Sequence, residues 1–106
     1  MNALPAGTLT FVFTDIEGST RLVQELGETR FNAVLEEHGR LVGGAFDAAG
    51  GHRVRMEGDS FFYVFERASA AVAAVVAAQR ALAAHAFPDG AVIRVRMGLH
   101  LSLIHI

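Results

Sequence analysis

Thr8-Leu9-Thr10-Phe11-Val12-Phe13-Thr14-Asp15-Ile16-Glu17-Gly18-Ser19-Thr20 is the stretch on which the fold of this chain turns. Its first seven residues alternate, with Leu9, Phe11 and Phe13 on one side, which predicts a strand with one strongly apolar face. Asp15 to Thr20 then supplies glycine, serine and threonine, the residues that turn a chain into a helix start. Upstream lies a short tail, residues 1–7. Its opening Met1-Asn2-Ala3-Leu4-Pro5 has no basic stretch followed by an apolar core and does not read as a signal peptide.

Downstream, Leu22 and Leu26 make a first helical stripe. After Gly27, the positions Phe31, Val34, Leu35, His38, Leu41, Val42, Ala45 and Phe46 recur at steps of three and four, which predicts a longer amphipathic helix. Gly50-Gly51 ends it where a left-handed cap belongs. Two short strand patterns follow, His52 to Met56 and Ser60 to Glu66, split by Glu57-Gly58-Asp59 as a hairpin. Arg67 to Ala86 reads as an alanine-rich helix carrying Val72, Val75, Val76 and Leu82, closed by the turn residues Pro88-Asp89-Gly90. Ala91 to Leu99 alternates again, with Ile93, Val95, Met97 and Leu99 on one face. The order β-α-β-β-α-β predicts an α+β chain with a ferredoxin-like core. That arrangement hosts many activities, so it defines no function by itself.

Composition narrows the function classes. The 106 residues are 52% hydrophobic and 19% charged, which describes one globular domain and not a disordered chain. A formal net charge of −2 speaks against binding nucleic acid through a broad basic surface. The absence of cysteine removes disulfides and thiolate metal sites, and it fits a reducing, cytoplasmic setting. The most apolar stretch, Ala68 to Ala78, falls well short of the roughly 20 residues a spanning helix needs.

Two places combine a carboxylate with a glycine-bearing turn. At the first, Asp15 leaves the strand, and the backbone amides from Glu17 to Thr20 open a helix. Amides without helical partners and the positive helix end suit a phosphate, and a hard cation on Asp15 beside them suits a metal–triphosphate. The second is Glu57-Gly58-Asp59-Ser60 at the hairpin tip. In a βαββαβ sheet the first strand can lie beside this hairpin. Asp15 and Asp59, 44 positions apart, would then meet at one site able to bridge two metal ions about 4 Å apart. Taken singly, each feature has an ordinary explanation. A strand-end aspartate before Gly-Ser-Thr is commonly a capping turn, and Gly-Asp is a common hairpin tip. Arg55 alone reads as a solvated strand residue, His38 as a packed core histidine, and the phenylalanines at 11, 13, 61, 62 and 65 as core. The joint occurrence of both turns in this topology carries the functional reading.

Phe13-Thr14-Asp15-Ile16-Glu17-Gly18-Ser19-Thr20-Arg21-Leu22, then Arg55-Met56-Glu57-Gly58-Asp59-Ser60-Phe61, then Val95-Arg96-Met97-Gly98-Leu99-His100 together resemble the catalytic domain of the class III adenylyl and guanylyl cyclases, especially their bacterial branch. The match runs over residues 8–100. The resemblance implies an amino-terminal portion of such a domain, with Asp15 and Asp59 as the paired metal-binding aspartates and the carbonyl of Ile16 as a further ligand. It places Gly18, Ser19 and Thr20, with the amide of Glu17, where the β- and γ-phosphates are held. It implies two Mg2+ or Mn2+ ions. One activates the ribose 3′-hydroxyl for attack on the α-phosphorus, and the other neutralises the triphosphate. The implied product is a 3′,5′-cyclic nucleotide with pyrophosphate, made by a homodimer in which base selection comes from the other subunit.

Arg55 departs from the family pattern, where adenylyl cyclases carry lysine and guanylyl cyclases glutamate. Arginine only donates, to adenine N1 or to guanine O6 and N7 alike; the missing guanine-reading glutamate favours ATP over GTP without fixing it. The family's transition-state asparagine and arginine lie past the strand ending at His100, and this chain alone is expected to have no cyclase activity. The last six residues, 101–106, read Leu101-Ser102-Leu103-Ile104-His105-Ile106, where the family usually continues Thr-Gly. The hexapeptide translates CTG TCT CTT ATA CAC ATC, the end sequence of transposase-based sequencing libraries, and is expected to be non-native. A cyclase-like module that binds nucleotide or dimerises without turnover is the alternative. An RNA-binding domain fits poorly because Glu57, Asp59 and Glu66 surround the aromatics. A diguanylate-type cyclase would show Gly-Gly-Asp-Glu-Phe at the hairpin, which here reads Glu-Gly-Asp-Ser.

Overall fold

The computed structural model describes the backbone of residues 7–104, and side-chain surroundings over 8–102 apart from Asp89. Residues 1–6 of the expected tail lie outside the described residues, as do 105 and 106, while Gly7 already begins a strand. The elements are β1 (Gly7–Ile16), α1 (Ser19–Leu26), α2 (Glu28–Ala48), β2 (His52–Glu57), β3 (Ser60–Phe65), α3 (Ala68–Ala84), a 3-10 turn (Pro88–Gly90) and β4 (Val95–Ile104). The sheet order is β2-β3-β1-β4 with every neighbouring pair antiparallel, the α+β arrangement expected from the element order. β1 lies beside β3, so the end of β1 and the hairpin tip fall on the same edge region.

Local chemistry sets the element ends. Gly18 (φ 65°) lets the chain leave β1 and enter α1, in a left-handed conformation that a side chain disfavours. Gly27 (φ 85°) separates α1 from α2, and Gly50 (φ 84°) ends α2 as expected. In the hairpin, β2 bulges between Arg53 and Arg55. Arg53 therefore faces the helices, while Arg55 pairs with Phe62 on the opposite face. An anchor holds β2 to α2: Tyr63 Oη donates to Asp47 Oδ1 at 2.8 Å, and Arg53 Nε donates to Tyr63 Oη at 3.0 Å. A side chain at Gly43 would come within 2.9 Å of the Arg53 guanidinium, whose flexible end would have to shift to admit it.

The helices pack on the sheet face that carries Val12, Ile16, Phe61, Tyr63 and Phe65, and these join Val34, Val42 and Phe46 in one core. Four expectations change here. The face of β1 under the helices is Thr10, Val12, Thr14 and Ile16, not the Leu9–Phe11–Phe13 side. Of the five phenylalanines expected in the core, Phe61 and Phe65 are buried, Phe11 and Phe62 half-buried, and Phe13 is 50% exposed. Alternation assigns residues to two faces but says nothing of which face the helices cover. On α3, the buried stripe is Ala71, Ala74, Ala78 and Leu82, while Val72 is 52% exposed. Alanines let α3 approach its neighbours closely, which valines on that face would prevent. Finally, the last strand begins at Val95 and not Ala91, and it runs on to Ile104, paired with β1 from Ile16↔Val95 to Gly7↔Ile104.

Candidate functional site

The site forms where the uncovered sheet face meets the ends of β1 and the hairpin. Phe13 and Phe62 stack there, ring centroids 4.5 Å apart with planes 11° from parallel. They floor an open cleft of about 630 Å3, edged by Asp15, Arg55, Glu57, Ser60 and Arg96. That volume lies within the few hundred to 1,000 Å3 typical of small-ligand sites. Phe13, Phe62 and Arg55 share one face because Phe13↔Phe62 and Arg55↔Phe62 are direct cross-strand pairs.

The two acidic turns do meet. The amide of Ile16 donates to Asp59 Oδ2 at 3.2 Å, tying the hairpin tip to the residue after Asp15. Asp15 itself is engaged from the other side. Its cross-strand partner on β4 is Arg96, whose Nε and Nη2 donate to Asp15 Oδ1 and Oδ2 at 2.7 and 2.8 Å, a fork on a carboxylate. The Arg96 hydrogen bonds hold the Asp15 carboxyl below its ordinary 3.8, outweighing partial desolvation, and Asp15 in turn raises Arg96. Sequence reasoning passed over Arg96, although it sits inside the third stretch that carried the resemblance. Only the β1–β4 register brings it opposite Asp15.

The expected phosphate cradle is narrower than Glu17 to Thr20. The Glu17 amide donates to the Arg94 carbonyl at 2.8 Å, continuing the β1–β4 ladder past the strand end, and is therefore not open to a ligand. α1 starts at Ser19, with the Gly18 carbonyl accepting from Leu22 at 3.1 Å, so the amides of Gly18, Ser19 and Thr20 belong to the helix opening. Arg55 lines the cleft and lies 3.3 Å from Glu57 Oε1, both side chains well exposed. Among the described residues no group of three or more His, Cys, Asp or Glu side chains gathers. The oxygen donors at this end of the sheet are the Asp59 carboxylate, held on the Ile16 amide, and the carboxylate of Asp15, the residue before Ile16. Such an all-oxygen set suits a hard divalent cation and not a soft metal. The guanidinium already on Asp15 shows that a positive charge fits there.

This fold is the catalytic-domain fold of the class III adenylyl and guanylyl cyclases, as the sequence motifs led one to expect. The guanylate cyclase domain of a rhodopsin–cyclase from Catenaria anguillulae, solved in complex with GTP, superposes with a TM-score of 0.80 at 18% identity, covering 97% of this chain and 69% of that one. A bacterial light-regulated adenylyl cyclase gives 0.82 at 17% identity over 94% of this chain and 56% of that one. Adenylate cyclases of Trypanosoma brucei in their monomeric state give 0.81 at 23% identity, over 96% and 58%. In sequence, an uncharacterised protein of Mycobacterium tuberculosis is 36% identical over 105 residues, 96% of this chain. The chain spans about a third (34%) of the length of that relative. The adenylate cyclase of Schizosaccharomyces pombe is 34% identical over 68 residues, 64% of this chain and 4% of that protein. No protein-family model matches. No described helix is long and apolar enough to cross a membrane.

Proposed function

We propose that this chain is the metal- and triphosphate-binding part of a nucleotidyl cyclase that converts a purine nucleoside triphosphate, ATP in preference to GTP, to a 3′,5′-cyclic nucleotide and pyrophosphate in the cytoplasm. The observation that carries the reading is the Ile16–Asp59 bond, which draws the two acidic turns together beside the helix opening at Gly18 and at the rim of the aromatic-floored cleft. Asp15, Asp59 and the Ile16 carbonyl are the residues that would hold two magnesium or manganese ions. Bound there, such ions supply Lewis acidity to the ribose 3′-hydroxyl and charge neutralisation to the triphosphate.

The remaining roles belong to the chain's own groups. The amides of Gly18, Ser19 and Thr20 orient phosphate oxygens at the positive end of α1. Phe13 and Phe62 offer a flat apolar surface, and their exposure suits coverage by a second copy of the domain, the homodimer expected of this fold. Arg55 would read a base by donation alone, to adenine N1 or to guanine O6 and N7, and the absence of a guanine-reading glutamate there supports ATP.

The test is made in a protein that carries this sequence within a complete cyclase domain. Asp15→Ala and Asp59→Ala should each lower cyclic nucleotide formation by at least a hundredfold, measured by product chromatography with Mg2+ or Mn2+. Normal turnover in either variant removes the two-metal assignment. Metal-dependent nucleotide binding without turnover in the unaltered protein identifies a non-catalytic nucleotide-binding module instead.

A further inference from the structure

The Asp15–Arg96 fork has a consequence for cation binding. Asp15 and Arg96 stand opposite each other in the β1–β4 ladder, 81 positions apart in sequence, and both line the cleft. Both carboxylate oxygens of Asp15 are occupied, one by Nε and one by Nη2. Asp59 is anchored separately, through one oxygen on the Ile16 amide. Of the two carboxylates, therefore, only Asp15 is closed off by a cation of the chain itself. The side chains are 41% (Asp15) and 63% (Arg96) exposed, so water and ions reach the pair, and the guanidinium can leave without opening the core.

We infer that Arg96 is an internal competitor for the cation site: its guanidinium occupies both oxygens of Asp15, and a divalent cation enters only as Arg96 swings away. The inference rests on the metal-binding reading given above and adds a residue that sets how tightly the site takes its cation. Competition is the natural outcome of this geometry, because both positive groups draw on the same two oxygens and repel each other there. The fork strengthens the pair and its exposure to solvent weakens it, so the competition is modest and a cation at millimolar concentration can win it.

The experiment is Mn2+ binding to the 106-residue chain, free Mn2+ being counted by electron paramagnetic resonance, with circular dichroism confirming the fold of each variant. Arg96→Gln should tighten Mn2+ binding roughly three- to tenfold, because the competitor is removed. Arg96→Lys keeps the charge but loses the fork and should fall between the two. Arg94→Gln removes a nearby charge from the segment leading into the same strand and should change affinity less than twofold, which separates direct occupancy from general electrostatics. In the unaltered chain, the Arg96 Nε–H resonance should shift as Mg2+ is added. Equal or weaker Mn2+ binding by Arg96→Gln, with binding still abolished by Asp15→Asn, overturns the competition while the metal site stands. Mn2+ binding that ignores Asp15→Asn in every variant overturns the metal site, and the competition with it. An equal gain from Arg94→Gln and Arg96→Gln also overturns it.

Discussion

α2 sets the His38 ring against Phe61, centroids 5.6 Å apart, with 1% of the residue exposed. Burial holds its pKa below the ordinary 6.5, against smaller opposing effects from the Leu35 backbone and the charge of Asp59. The sign follows from proton counting. Below about pH 6.5 the unfolded chain protonates this imidazole while the folded chain resists, so stability is present above that pH and falls as pH drops. Between about pH 7.5 and 5.5, the His38 contribution to urea stability should decline by at most about 1.4 kcal/mol, and His38→Leu should flatten that part of the curve. Asp15 and Glu37, whose pKa values are also lowered, lose their contributions only at more acid pH, so the two windows separate. An unchanged slope in His38→Leu would mean that the ring is solvated.

At the scale of elements, α3 reverses the usual association of size with burial. Its contact face is Ala71, Ala74, Ala78 and Leu82, while Val72 and Val76 look outward. A helix built this way lies close to its neighbours and tolerates little added volume. Ala74→Leu should destabilise the chain by about 1–3 kcal/mol through overpacking, whereas Val72→Gln should stay within about 0.5 kcal/mol. Thermal melts of the two variants decide the matter: similar melting temperatures would place the packed face elsewhere. The β2–β3 hairpin makes a similar demand at its entry, where a side chain on Gly51 would lie 2.7 Å from the Phe65 ring.

For the whole molecule, the distinguishing feature is a sheet covered on one face by helices and, at the Phe13 end of the other face, open as a cleft. Ligand binding to the folded chain alone raises stability by mass action, about 1.4 kcal/mol at a tenfold excess over Kd. Mg2+ with ATP together should therefore raise the melting temperature of this chain more than either does alone, and EDTA should abolish the gain. Asp59→Asn should abolish it as well. A shift that survives both treatments would assign nucleotide binding to the aromatic floor without a cation.

Read from its residues alone, the chain yielded the order of elements, the glycine-capped end of α2, the hairpin, and the approach of the hairpin tip to the end of β1. These follow from periodicity, turn chemistry and strand adjacency, all local or nearly so. Three features belong to the tertiary structure. Phe11 and Phe13 alternate as cleanly as any core residues, but the helices cross the opposite face of β1, and alternation is blind to that choice. The Glu17 amide looks available at a helix start, yet it is consumed by Arg94 because β4 extends the ladder beyond the end of β1. Arg96 meets Asp15 only through strand register across 81 positions of sequence, a non-local pairing that no spacing rule encodes.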